Sequence, residues 1–136
     1  RVETTWPLRI QLPVGTQVPF HCTASGKMYL SSLKPRLFAK YLSIVSLDAH
    51  TSHTVTDPDA LSAEIEVIRA RGYSTDNEEF MESMVAVAVP LFDAQGRLMS
   101  TLSIHAPTQR ISLKGLEEHL PRLQEAAGDL SELVRD

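Results

Sequence analysis

The stretch that decides the fold is residues 84–105, which read MVAVAVPLFDAQGRLMSTLSIH. Residues 84–92 are almost continuously apolar with valine at alternate positions, a pattern typical of a buried central strand. The four residues 93–96, DAQG, are typical of a tight turn, and residues 97–105 then return antiparallel to the first strand. The sequence therefore predicts a β-hairpin at the centre of an antiparallel sheet.

The register of this hairpin determines which side chains share a face of the sheet. If all four turn residues lie outside the ladder, Ala86 lies opposite Ser103 and Met84 lies opposite His105. A three-residue loop ending in a left-handed Gly96 would slip the register by one and mix the two faces. We prefer the first register because it separates an apolar face from a semi-polar one. The semi-polar face is then either a cavity lining or a solvent-facing surface.

Helices are predicted on both sides of this hairpin in the chain. Apolar residues at helical spacing indicate four helical segments, at residues 23–33, 35–44, 58–71 and 112–134. Pro121 is expected to kink or split the last of them. Short strands are expected over residues 6–12 and 73–76. A hairpin with helices grouped around it predicts an α+β fold, with an antiparallel sheet flanked by helices.

Composition limits the classes of protein to which the chain can belong. Its 136 residues are enough for one domain with its own core. The net charge is -4 and no Lys/Arg cluster is present, so this chain alone is not expected to bind DNA tightly. Cys22 is the only cysteine, which fits a reducing cytoplasm, and no apolar run is long enough to span a bilayer. Because the sequence begins at Arg1 without a methionine, we expect a domain of a longer polypeptide.

Residues 18–27, VPFHCTASGK, indicate a helix that begins in small and hydroxyl-bearing residues. The free N–H groups and the positive dipole end of such a helix favour a carboxylate or a phosphate. Thr23 and Ser25 are also common helix caps, so ordinary capping explains the same residues. Both interpretations stay open at this point.

Acidic residues follow the second predicted strand. Asp76 is either a ligand-binding carboxylate or a turn cap. Glu78 and Glu79 are neighbours on an extended segment and therefore point apart. We expect them at a solvated edge or a dimer contact rather than in a carboxylate pair.

Neither a metal site nor catalysis is predicted. His50 and His53 have a metal-compatible spacing, but only Asp48 is a further candidate nearby and His21 is remote in sequence. The sequence contains no nucleophile elbow, P-loop or dinucleotide fingerprint. We therefore expect no enzyme activity, no cofactor and no bound metal.

Four motifs together resemble the C-terminal effector-binding domain of IclR-type bacterial transcriptional regulators. Residues 18–27 resemble the family's V-P-L-H-x-T-A-x-G-K, and residues 51–58 resemble its T-x-x-T-I-x-D. Residues 71–79, RGYSTDNEE, resemble R-x-x-G-Y-A-x-D-x-E-E, and residues 87–96, VAVPLFDAQG, resemble I-A-A-P-V-F-D-x-x-G. In this order and spacing, over nearly the whole chain, the motifs are specific. The resemblance implies a GAF-like or profilin-like domain whose curved antiparallel sheet cups a small-molecule effector.

The resemblance also implies partners. Family members carry an N-terminal winged helix-turn-helix domain, absent from this chain, so DNA would be bound only through that missing domain. They form homodimers or homotetramers, contact no membrane, and bind small organic acids or aromatic catabolites. The effector's carboxylate is expected at the amides of the first helix. By motif position, the effector site falls on Ile10, Val18, Ala24, Ser25, Gly26, Asp76, Met84, Ala86, Ser103 and His105. The alternative is an oligomerisation module with no ligand.

Three departures from the family pattern bear on that site. Ser83 replaces the usual glycine after the acidic segment, so a different loop shape is expected there. Ala86 stands where many members have cysteine, which removes a thiol. His105 and Ala106 replace a common Ser-Gly pair and add a titratable ring to the site.

Overall fold

The computed structural model describes residues 1–8 and 12–134. Its elements, in chain order, are α1 (Ala24–Ser32), α2 (Pro35–Ile44), α3 (Pro58–Arg71), β1 (Ser74–Asn77), β2 (Met84–Phe92), β3 (Leu98–Pro107), α4 (Leu113–Glu117) and α5 (Leu120–Leu133). The strands form an antiparallel sheet in the order β1-β2-β3. The predicted α+β class is therefore confirmed. None of the helices in the described part of the chain has the length and hydropathy that a membrane span requires.

The sheet separates two groups of helices. On one face, the valines of β2 at 85, 87 and 89 pack against buried residues of α4 and α5. On the other face, Ala24 of α1 packs directly against Ala86 and Ala88. Behind α1, a second core joins α1, α2 and α3 through Met28, Leu30, Phe38, Leu61, Ile65 and Ile68. Alternation along β2 thus supplies both faces with small or branched apolar side chains.

The helix boundaries follow their capping residues. Asp57 accepts a hydrogen bond from the Ala60 N–H at the start of α3, and Gly72 ends that helix in the left-handed region at φ 81°. Pro121 lies in the first turn of α5 and separates it from α4, as the sequence predicts. The strand expected over residues 6–12 is not formed by its described residues, because residues 6–8 make bends and residue 12 is irregular.

The hairpin register is corrected by two residues. Ala86 pairs with His105 instead of Ser103, and Ser103 pairs with Ala88. The turn is the three-residue loop that we had set aside, with Gly96 at φ 76° and the Asp93 N–H donating to the Arg97 carbonyl at 2.9 Å. A bulge then leaves Met99 unpaired, since Phe92 pairs with Leu98 and Leu91 with Ser100. The loop and the bulge each shift the register by one, so the predicted faces survive although the predicted partners do not.

Candidate functional site

The start of α1 combines a cap with two unused amides. Thr23 is the N-cap, and its Oγ1 accepts from the Gly26 N–H at 3.0 Å and donates to the Pro19 carbonyl at 2.7 Å. The Gly26 N–H is therefore already hydrogen-bonded to the cap. The expectation that this N–H binds the effector's carboxylate is corrected. The N–H groups of Ala24 and Ser25 precede the first intrahelical donor, the Lys27 N–H, and have no acceptor among the described residues.

This helix start lies over the semi-polar face of the sheet. Ala24 is 1% exposed and contacts Ala86 and Ala88. Those two alanines pair directly with His105 and Ser103 on β3. Because paired residues on one face lie about 5 Å apart, the end of α1 and the polar side chains of β3 are neighbours across one strand.

A pocket of about 680 Å³ runs along this part of β3. Its apolar lining includes Leu12, Val14, Leu102, Ile104 and Pro107, and its polar lining includes Thr101, Ser103, His105 and Arg110, with residues 1–4 at one side. Ser103 Oγ and His105 Nε2 lie 3.1 Å apart, in hydrogen-bond contact. The arrangement is that of a small-molecule site, in which an apolar wall carries a few polar groups that fix orientation.

The titratable His105 and the cationic Arg110 contribute to the charge of this pocket, beside an ion pair of Arg1 and Glu3 at 3.0 Å. The surrounding protein lowers the pKa of His105 by keeping water from the charged ring, and Arg1 lowers it further. The side chain of His105 is nevertheless exposed to solvent, and the lowered pKa favours the neutral imidazole, which acts as a hydrogen-bonding group. Arg110 supplies positive charge: its Nη1 donates to Thr4 Oγ1 at 3.0 Å, and its guanidinium lies 4.6 Å from the centre of the Trp6 ring.

Asp76 lies on the same sheet face, opposite Ala86, but is fully buried. Its Oδ1 accepts from the Glu79 N–H at 2.8 Å, while Oδ2 and the nearby Ser74 Oγ have no hydrogen-bond partner in the described part of the chain. Burial raises the pKa of Asp76 from 3.8 to about 6, and the neighbouring Glu79 charge adds to this against the opposing hydrogen bond from the Glu79 N–H. A buried oxygen without a partner is energetically costly, so this carboxyl is available to a donor group.

Lys27 is fully buried within an ion-pair network. Its Nζ donates to Glu79 Oε1 at 2.8 Å and Oε2 at 3.0 Å, and to Glu64 Oε1 at 2.6 Å. Glu79 is only 6% exposed, so the expectation that it lies at a solvated edge is wrong. Burial raises the pKa of Glu79, and Lys27 opposes that change. A lysine three residues after Ala24 and three before Leu30 lies on the buried face of α1, and this spacing could have shown that Lys27 needs a carboxylate partner.

The loop after Glu79 keeps a backbone typical of glycine. Ser83 has a φ of 61°, in the left-handed region that favours glycine. The carboxylate of Glu78 accepts from the Ser83 N–H at 2.9 Å and holds this conformation. Serine at position 83 therefore adopts a left-handed backbone, which this hydrogen bond supports.

The structure places the predicted site residues in different surroundings. Ser103 and His105 line the pocket, whereas Ala24, Asp76, Met84 and Ala86 are buried between the sheet and the helices. Val18 and Ser25 are half-buried, and Ile10 lies outside the described residues. Arg110 and Thr101 were missed by the sequence interpretation. Thr101 shares the strand alternation of Ser103 and could have been found by it, but no local signal marks Arg110.

The raised pKa of Asp76 leads to a testable pH dependence. An acid whose folded pKa exceeds its unfolded pKa contributes stability below the unfolded value, and this stability is lost as pH rises through the folded value. Between about pH 3.8 and 6, we expect the free energy of unfolding to fall by roughly 3 kcal/mol from this group. Asp76→Asn should remove that part of the slope in urea denaturation curves taken across the window. Asp59→Asn, in the first turn of α3, is the control, and equal slopes in both variants would contradict the assignment.

Comparison with known proteins agrees with this architecture. The family model for the C-terminal domain of the bacterial transcriptional regulator IclR matches residues 1–132. The chain is 38% identical over 130 residues to the probable transcriptional regulator SauR of Cupriavidus necator, a match that covers 96% of this chain and 52% of that protein. It is 32% identical over 124 residues to the Pca regulon regulatory protein of Pseudomonas putida, a match that covers 90% of this chain and 43% of that protein.

Two solved structures show the same fold. IclR of Thermotoga maritima superposes with a TM-score of 0.89 at 33% identity, covering 99% of this chain and 55% of that chain. The second structure is a double mutant of the PobR inducer-binding domain from Acinetobacter in complex with 3-hydroxybenzoic acid. It superposes with a TM-score of 0.88 at 28% identity, covering 93% of this chain and 75% of that chain. The chain spans about half the length of these curated relatives, which are regulators and not enzymes. The chain therefore belongs to the IclR family of bacterial transcriptional regulators and corresponds to their C-terminal domain.

Proposed function

We propose that the chain is the effector-binding domain of a transcriptional regulator and binds a small organic acid in the pocket along β3. The observation that carries this proposal is the pocket of about 680 Å³ with Ser103 and His105 in hydrogen-bond contact on its wall. Its volume lies in the range of small-molecule sites. A related inducer-binding domain was solved with 3-hydroxybenzoic acid, which makes aromatic acids the first class to test.

The chemistry of the pocket favours a weakly polar acid. Ser103 and the neutral His105 can each donate to or accept from a hydroxyl or carboxyl oxygen. Arg110 offers the charge that a carboxylate needs, in a guanidinium geometry that matches two oxygens. The apolar lining then covers the hydrocarbon part of the molecule.

The unused amides of Ala24 and Ser25 form a second candidate position for the carboxylate. They belong to the positive end of a nine-residue helix, where a negative charge is stabilised. Ala24 touches the partners of His105 and Ser103, so a ligand that reaches across β2 would contact both elements. The buried Asp76 carboxyl on the same face would accept a hydrogen bond from a ligand hydroxyl. The other predicted apolar residues that the structure describes, Val18, Met84 and Ala86, would form the apolar wall.

Binding would be transmitted to a DNA-binding domain outside this chain. A ligand shifts a conformational equilibrium only by its difference in affinity for the two states. We infer that the effector favours one packing of α1 against the sheet and so changes the spacing of DNA-binding domains in a homodimer or homotetramer. The protein would act in the cytoplasm.

Isothermal titration calorimetry with a panel of aliphatic and aromatic acids, including 3-hydroxybenzoic acid, tests the proposal. Ser103→Tyr fills the pocket, and we expect it to weaken binding at least about tenfold, the equivalent of 1.4 kcal/mol. Ser100→Tyr is the matched control, since Ser100 is an exposed serine on the same strand that does not line the pocket. Ser25→Trp tests the helix end separately.

Two results would contradict the proposal. One is the absence of any binder in the panel, which would favour the oligomerisation module without a ligand. The other is equal affinity of the Ser103→Tyr and Ser100→Tyr variants, which would place the ligand elsewhere.

A further inference from the structure

We propose that His21, Cys22 and His50 form a binding site for a divalent transition-metal ion of the Zn²⁺ class. One ligand atom from each residue lies within 4.8 Å of the other two. In a tetrahedral zinc site the ligand atoms are about 3.3–3.8 Å apart, given Zn–N and Zn–S bonds of about 2.0–2.3 Å. An approach of about 1 Å, within reach of a rotamer adjustment, would complete the geometry. Imidazole and thiolate are the ligands that zinc prefers.

The fold brings these ligands together from two distant segments. His21 and Cys22 directly precede the N-cap of α1, while His50 lies in the loop between α2 and α3. The ring centroids of His21 and His50 are 5.8 Å apart, and those of His50 and Phe80 are 5.6 Å apart. His21 and His50 are far apart in the sequence, so the sequence does not show that they are neighbours in the fold.

One histidine is already oriented as metal ligands usually are. His21 Nε2 lies 2.8 Å from the carbonyl oxygen of Asp48, which can only accept, so Nε2 carries the proton. The other ring nitrogen, Nδ1, then presents its lone pair. A histidine ligand typically donates its second N–H to a carbonyl or carboxylate in this way, which fixes the ring and its tautomer.

The surroundings of Cys22 favour a cation. Cys22 is fully buried, and the carboxylates of Asp76 and Glu79 act on it electrostatically, with Lys27 opposing them. The same two carboxylates would attract a divalent ion, which displaces the thiol proton when it binds. Asp76 Oδ2 is buried without a hydrogen-bond partner in the described part of the chain, whereas the hydrogen bonds of Lys27 Nζ go to Glu64 and Glu79.

The backbone of the His50 loop is also held in place. The N–H groups of His50 and Thr51 both donate to Thr54 Oγ1 at 3.0 Å. The hydroxyls of Thr51 and Thr54 donate in turn to the carbonyls of Glu78 and Glu79 at 2.6 Å. A metal would therefore connect a preformed loop to the start of α1, and three protein ligands would leave a fourth position open.

Titration of the untagged, reduced and chelator-treated chain with Co²⁺ tests this site, because a thiolate ligand gives cobalt a sulfur-to-metal charge-transfer band. We expect one Co²⁺ per chain with that band, displaced by one Zn²⁺. Cys22→Ser should abolish the band, and His50→Ala should weaken Co²⁺ binding at least about tenfold. His53→Ala, an exposed histidine of the same loop outside the cluster, should stay within about twofold of wild type.

Three results of the Co²⁺ titration would contradict the metal site. No uptake of Co²⁺, uptake without the thiolate band, or equal loss in the His50→Ala and His53→Ala variants would each overturn the proposal. His50 is exposed, so its variant is expected to fold even where Cys22→Ser, at a buried position, does not. A rise in melting temperature with Zn²⁺ in wild type and His53→Ala, but not in His50→Ala, would provide independent support.

Discussion

Replacement of Gly26 by alanine is expected to destabilise the domain by about 3–4 kcal/mol. An added Cβ would lie 2.5 Å from both Cα and the carbonyl oxygen of Phe20, and 2.5 Å from Thr23 Oγ1. Two of these are backbone atoms that cannot rotate away, and the third belongs to the cap of α1. Overpacking of this kind costs about 1–3 kcal/mol or more, and loss of the cap adds about 1 kcal/mol.

Urea denaturation followed by circular dichroism measures this effect, and Gly128→Ala is the matched control. Gly128 lies inside α5 with nothing within 4 Å of its added Cβ, so alanine there should stabilise the domain by about 0.5–1 kcal/mol through helix propensity. Opposite signs for the same chemical change would confirm the close approach at Gly26. A Gly26→Ala variant as stable as wild type would refute it.

Lys27→Met is expected to cost about 3–5 kcal/mol, because it removes the cation from a buried carboxylate. Lys27 has no exposed surface and Glu79 has 6%, so water cannot replace the lost donor. Glu64, the other partner, has a side chain that is 26% exposed, so Glu64→Gln should cost about 1 kcal/mol or less. Urea denaturation at pH 7 measures the free energies of unfolding of wild type, Lys27→Met and Glu64→Gln.

Two further measurements separate this electrostatic effect from lost packing. In the double variant Lys27→Met/Glu79→Gln the buried Glu79 charge is removed together with its partner, so stability should recover by at least about 1 kcal/mol relative to Lys27→Met. Burial raises the pKa of Glu79, so its carboxyl is neutral in acid, and the cost of Lys27→Met should shrink as pH falls. A cost that is independent of pH and unchanged in the double variant would show that packing dominates.

The sequence predicted the elements and the faces of the sheet well, since both depend on local periodicity. The bounds of β2 and of α3 were both predicted from patterns a few residues long. The register of β3 was not, because a loop slip and a bulge each moved it by one. Alternation reports parity, so it is insensitive to a shift of two residues.

The candidate site was less predictable because it depends on contacts between distant segments. The resemblance named Ser103 and His105, which line the pocket, together with Asp76 and Met84, which the helices cover. Burial of Glu79 depends on Lys27, 52 residues away, and the meeting of His21 with His50 depends on a loop held by threonine hydroxyls. No window of local sequence contains these pairs.

The unpaired Met99 gives the hairpin one residue more than a regular ladder needs. Loss of a single residue between the turn and Met99 could be absorbed by straightening the strand, and Ser103 and His105 would keep their partners. An inserted residue between the turn and Met99 cannot be absorbed in this way. Either the turn becomes longer by one residue, or the alternation of β3 shifts and the opposite set of side chains faces the pocket. Removal of one residue therefore leaves the pocket-facing side chains of β3 unchanged, whereas insertion of one residue does so only if the turn takes it up.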